Sequence, residues 1–147
     1  MTPDLQKLFP SFREIDLPIS AIQVRMFLWR PSKRSSHVGL IRFSGPYRDG
    51  SAGAGDAAFI ASRMREFHDF PQHMRPAAMV VDLTELQYRW GDDLSVSSFT
   101  FAKPIPVRVV VPRDQVEVFK HVAMQSEIRA DLIAATRELS DLMRNTY

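Results

Sequence analysis

Apolar residues along the chain follow two different periods, and the places where the period changes mark the elements. Over Ala21–Trp29, the side chains Ile22, Val24, Met26 and Leu28 share one face, while Gln23 and Arg25 share the other. A period of two is the signature of a strand with one buried face. The polar stretch Arg30–His37 leads into a second run, Val38–Ser44, and strands this close in sequence are expected to pair antiparallel. From Ala57 to Phe70 the period lengthens, with Ile60, Met64 and Phe67 at i, i+4 and i+7. This predicts an amphipathic helix with Asp56 as its N-cap and Pro71 as its stop.

Ala77–Leu83 is continuously apolar apart from Asp82 near its end, the pattern of a parallel strand buried on both faces. Pro106–Val111 has the same character. A short helix is predicted from near Asp92 to before Pro104, and another over Arg113–Met124 through Val116, Phe119 and Ala123. The last helix, about 127–144, places Ile128, Leu132, Ala135, Leu139 and Leu142 at steps of four and three. The first twenty residues, interrupted by Pro3, Pro10 and Pro18, are expected to be irregular. The order β-β-α-β-α-β-α-α predicts an α/β fold: one domain over residues 1–147, with a mixed sheet of about four strands and helices packed on it. Crossovers between its parallel strands are expected to be right-handed.

Composition narrows the function classes. The 147 residues include no cysteine, which excludes thiol catalysis, thiolate zinc sites, iron–sulfur clusters and disulfides. No apolar run approaches the roughly 20 residues of a membrane span, and Met1–Pro10 has no signal-peptide core, so a soluble, cytoplasmic protein is expected. Nineteen basic residues, fifteen of them Arg, oppose seventeen acidic ones. Residues 1–50 hold eight basic and four acidic groups, and the rest of the chain is slightly acidic. The one basic cluster, Arg30-Pro-Ser-Lys33-Arg34, reads first as a solvated loop and second as a phosphate or acidic-partner contact. It lacks the long stripe with interleaved aromatics of a nucleic-acid binder.

Few residues are arranged for chemistry. Gly53–Ala58 matches a relaxed dinucleotide fingerprint, with Asp82 roughly where a ribose-binding acid would sit. However, eight residues separate Gly45 from Ala54, and Asp56 would face the phosphate, so a loop leading into a helix is the better reading. His68 and His73 flank Pro71 at a spacing unsuited to a metal, and the helix C-terminus alone accounts for a histidine there. No nucleophile elbow or spaced triad occurs. The unusual stretch is Asp82-Leu-Thr-Glu-Leu-Gln-Tyr-Arg-Trp-Gly-Asp-Asp-Leu94, at the C-terminal end of the central buried strand, with Tyr88, Arg89 and Trp90 within it. Ligands and partners of open α/β sheets bind at that edge, and Tyr, Arg and Trp dominate interface hot spots. A bland account of the same residues has Asp92 and Asp93 capping a helix and Trp90 packed onto the core.

Over Val38 to Ile128 the chain resembles STAS domains, the fold of bacterial anti-sigma-factor antagonists. Ile41-Arg-Phe-Ser-Gly45 is similar to the family's second strand. Met79-Val-Val-Asp-Leu-Thr-Glu-Leu-Gln-Tyr88 is similar to its central strand and turn. Val107–Val111 followed by Arg113-Asp-Gln-Val-Glu-Val-Phe119 resembles its late strand and helix. In that family the turn continues Asp-Ser-Ser/Thr-Gly, and a partner kinase phosphorylates the hydroxyl. Here Trp90-Gly91-Asp92-Asp93 stand there, with Asp92 at or beside the acceptor position, so the phospho-switch does not carry over. Its carboxylate would imitate the phosphorylated state with about one charge against roughly 1.5–2 for phosphate. Two further departures are the helix cut short by Pro104 and the absence of a clear final strand between Val111 and the last helix.

The resulting expectation is a non-enzymatic, STAS-like regulatory or scaffold module. It would bind a protein partner through Tyr88, Arg89, Trp90, Gly91, Asp92, Asp93 and Ser95 and the helix that follows. No catalytic residue, cofactor, metal, nucleic acid or membrane insertion is expected, and a homodimer through the C-terminal helix is compatible with this reading. The alternative is an acyl- or nucleotide-binding domain or enzyme resembling the crotonase and Clp-protease superfold. There Gly91 would donate an oxyanion-hole N–H, and Asp92 or Asp93 would act as acid or base. A third reading, an immunity-type inhibitor, rests on size, solubility and uneven charge.

Overall fold

The two strands nearest in sequence are neighbours in the sheet. In a computed structural model, which describes residues 5–8, 10–11, 20–49, 53–88, 103–117, 119 and 128–144, β1 (Gln23–Trp29) pairs antiparallel with β2 (His37–Pro46). β3 (Pro76–Gln87), β4 (Val107–Val110) and β5 (Ile128–Arg129) then add in parallel, giving a five-stranded mixed sheet in the order β1-β2-β3-β4-β5. The fold class is therefore the expected α/β one, with one strand more than about four. The extra strand is β5, which is only two residues long and carries no periodicity of its own.

Helices cover both faces. α1 (Leu5–Leu8) is a single turn within the stretch expected to be irregular. α2 (Gly53–His68) buries Ile60, Met64 and Phe67, the i, i+4, i+7 set, against Ile41, Phe43 and Met79. α3 (Leu132–Arg144) lies on the opposite face and packs Ala135, Leu139 and Met143 on Val38, Val80 and Val110. Alternate residues of β3 thus enter two cores, Met79 and Val81 one and Ala78 and Val80 the other, which is why this stretch is apolar without a break. Gly39 is required by close approach, because a Cβ there would meet the Phe67 ring and Pro76 at 2.8 Å.

Three local expectations are corrected. Asp56 lies inside the first turn of α2 rather than capping it, since the helix already begins at Gly53. Arg113–Gln115 form a 3-10 turn where the helix expected to run to Met124 would begin, and residues 118 and 120–124 of that span lie outside the described residues. The last helix starts at Leu132, with Asp131 as its cap accepting from the amides of Ile133 and Ala134 at 2.9 and 3.1 Å. Its buried face is offset accordingly: Met143 is inside and Leu142 is 43% exposed, while Ile128 belongs to β5. Ser140 is buried in this face because its hydroxyl donates to the Thr136 carbonyl at 2.7 Å. The helix expected from Asp92 falls outside the described residues.

Candidate functional site

The sheet's C-terminal edge carries a crevice of about 730 Å³, bounded by the segment after β2, the end of β3 and the turn after β4. A bulge shapes it. Between Arg42 and Ser44 of β2, the partner strand advances from Asp82 to Glu85, one residue more than the register requires. Asp82 holds this irregularity. Buried on the α3 face, it accepts from the Thr84 amide and hydroxyl at 2.9 and 2.6 Å and from Arg42 Nε at 2.8 Å. Its carboxylate is thus engaged beneath the sheet end and is not a ribose contact. Beyond the bulge, Thr84 and Glu85 are both exposed, and Leu86 and Tyr88 turn back to the α2-side core.

The floor is aromatic. Tyr88 is 5% exposed and lies between Tyr47, edge-on at 4.9 Å, and Phe119, tilted at 4.9 Å. Gln115 donates its side-chain N–H to the Tyr88 carbonyl at 3.3 Å, and its buried Oε1 has no partner among the described residues. Among the described residues the rim carries three carboxylates, Asp49, Glu85 and Asp114, and one guanidinium, Arg48. Arg48 is already engaged: Asp56 accepts from its backbone N–H at 2.8 Å and its Nε at 3.0 Å, and also from the Ser20 hydroxyl. Burial pushes the Asp56 carboxyl up, but these hydrogen bonds and the Arg48 charge outweigh it and hold it below the ordinary carboxylate value. The described part of the rim is therefore acidic, in contrast to the chain's small net positive charge.

Packing explains the small-residue stretch that resembles a dinucleotide loop. A Cβ on Gly53 would lie 2.5 Å from the Tyr47 ring and 2.7 Å from the Arg48 carbonyl, and one on Gly55 2.8 Å from the Arg48 guanidinium. These glycines admit the protein's own Tyr47 and Arg48, so the first turn of α2 is occupied from within.

The chain matches no known family model and shows no significant similarity to a curated protein.

Of the residues singled out in the sequence, Tyr88 lines the crevice, as its buried floor. Arg89, Trp90, Gly91, Asp92, Asp93 and Ser95 lie outside the described residues. The remaining wall residues were not legible as a site, because Asp49, Glu85 and Asp114 come from three separate segments and meet only through strand order. Elsewhere, the His68 ring bridges Asp69 and the Lys103 carbonyl at 2.8 and 2.9 Å. No group of three metal-ligating side chains occurs among the described residues, and no helix there is long and apolar enough to cross a membrane.

Proposed function

We propose that the protein is a STAS-like binding module of regulatory or scaffold type, and that it engages a basic segment of a protein partner at the C-terminal edge of its sheet. The carrying observation is the acidic rim of Asp49, Glu85 and Asp114 over an aromatic floor. Crevices at the carboxyl ends of parallel strands are the usual recognition sites of open α/β sheets. An acidic rim steers and orients a Lys- or Arg-bearing partner, and its effect weakens with salt. β3 ends at Gln87 and Tyr88 is part of the floor, and Arg89–Leu94 follow Tyr88 directly in the sequence. Arg89 and Trp90 of that stretch are of the side-chain types that anchor interfaces. The resemblance to STAS domains, with the partner surface after the equivalent strand, supports the same placement.

Affinity capture with three baits tests this reading: wild type, a Glu85→Lys/Asp114→Lys double variant, and Trp90→Ala. A specific protein retained by wild type, lost on charge reversal and released by moderate salt is the expected result. Equal recovery by all three baits would remove the crevice and its turn as the interface.

A further inference from the structure

The geometry points to a second interaction surface, separate from the crevice: the outer edge of β1 pairs antiparallel with β1 of a second copy of this chain. Among the described residues β1 hydrogen-bonds only to β2, so its other edge carries an unpaired row of backbone donors and acceptors along Gln23–Trp29. Monomeric proteins protect such edges with prolines, bulges, lysines or inward-pointing charges. This strand has none of these. Its register against β2 is unbroken over all seven residues, and Arg25 is its single charge. Neither face is finished. On one side Val24, Met26 and Leu28 are only partly buried at the margin of the α2-side core. On the other, Phe27 is 39% and Trp29 47% exposed.

The sequence selects a second copy as the occupant. Two-fold pairing about a strand requires a central residue opposite itself, and only Met26 uses the full strand. That register sets Gln23 opposite Trp29, Val24 opposite Leu28 and Arg25 opposite Phe27 of the other copy. The strand's own cation therefore meets an aromatic ring rather than its own image, a ring that Arg42 of β2 also approaches at 5.8 Å. A centre at Arg25 would oppose two guanidinium groups, which is unfavourable. The Arg25–Phe27 combination is already made within one strand, where the guanidinium lies 5.3 Å from the ring centroid. Pairing would repeat the contact across the interface twice. Val24, Met26 and Leu28 would meet their counterparts on the inner face and complete the core margin.

The symmetry has a consequence for the crevice. A two-fold axis perpendicular to the sheet reverses strand direction, so the two crevices would lie at opposite edges of one continuous sheet. Such a dimer bridges two partner molecules rather than clamping one.

Sedimentation of the full chain over a concentration series tests the pairing, with three variants beside wild type. Wild type is expected to form a species of twice the 16.8 kDa chain mass. Phe27→Lys puts like charges opposite Arg25 at two symmetric places, weakening the dimer about tenfold or more. Adding Arg25→Glu to Phe27→Lys restores opposite charges in the same register and recovers the dimer. Thermal melting of each variant verifies folding, because Phe27, on the α3 side opposite Leu40, also has the chain's own Arg42 guanidinium 5.8 Å from its ring centroid. A wild type that stays monomeric at every concentration overturns the proposal and leaves the edge to an extended segment of another protein. A dimer that survives Phe27→Lys but dissociates on Ile133→Lys overturns it in favour of α3, where Ile133 is 64% exposed. Failure of the charge swap to rescue overturns the register.

Discussion

Gly53 shows how a single residue couples the helix start to the crevice wall. Alanine is the better helix former by about 1 kcal/mol in a helix interior, and less at a first residue. Against that gain, its Cβ would sit 2.5 Å from the Tyr47 ring and 2.7 Å from the Arg48 carbonyl. A ring edge can shift, but the carbonyl belongs to backbone that Asp56 holds through the Arg48 amide. Overpacking of this kind costs about 1–3 kcal/mol, so the steric term exceeds the propensity term. Gly53→Ala is expected to lower unfolding free energy by about 1–2 kcal/mol in denaturant titration. An unchanged midpoint would mean that the Tyr47–Arg48 wall yields without resistance.

Element by element, legibility tracks how local the forces are. The buried strand around Met79–Leu83 and the Ile60, Met64, Phe67 stripe were readable because period and burial are properties of contiguous residues. β5 was not, since two residues become a strand only by pairing Val109 with Ile128 and Val110 with Arg129. The seam of α3 was misplaced for a related reason. The apolar positions Leu132, Ala135, Leu139 and Leu142 fit a helical stripe, but the sheet selects Ala135, Leu139 and Met143. The crevice rim was hidden for the same reason, being assembled by strand order from distant segments. What fixes the short strand is Glu138 of α3, which accepts from Arg108 Nε of β4 at 2.9 Å and from Arg129 Nε and Nη2 of β5 at 3.0 and 2.9 Å. In Glu138→Gln the amide N–H would face a guanidinium donor, so at least one of these bonds is lost. The side chain is 39% exposed, and solvent screening limits the expected loss to about 1 kcal/mol. Hydrogen exchange gives the sharper readout: the Val111 amide, which donates to the Arg129 carbonyl at 2.9 Å, is expected to lose protection, while β2 and β3 amides keep theirs. Uniform loss across the sheet would refute a local clamp.

At the scale of the whole molecule, the three groups with shifted titration among the described residues give stability a single direction of pH dependence. Glu138 is held at about 2, below its ordinary 4.5, chiefly by the Arg129 hydrogen bond, with burial opposing and Arg108 adding to the effect. Asp56 is also lowered from 3.8, by the Ser20 and Arg48 bonds acting against burial. For both, the unfolded chain binds the proton more readily, so their contribution is complete above the ordinary carboxylate range and is lost as pH falls toward the folded values. His37 is lowered from 6.5 by burial and by the Arg30 charge. Its cation is disfavoured in the folded state, so acidification through 6.5 also favours unfolding. None of the three shifts opposes the others. Stability is therefore expected to level off above about pH 7, decline gently as His37 titrates, and fall more steeply below about 4.5. Denaturant titrations at stepped pH would measure the curve for wild type, Glu138→Gln and His37→Asn. Glu138→Gln should flatten the segment between 4.5 and about 2, and His37→Asn the shallow one near 6.5. Because the two sites lie on different elements, one at the start of β2 and the other on α3, their effects should add in the double variant. A wild-type stability that rises on acidification would contradict the direction assigned to all three.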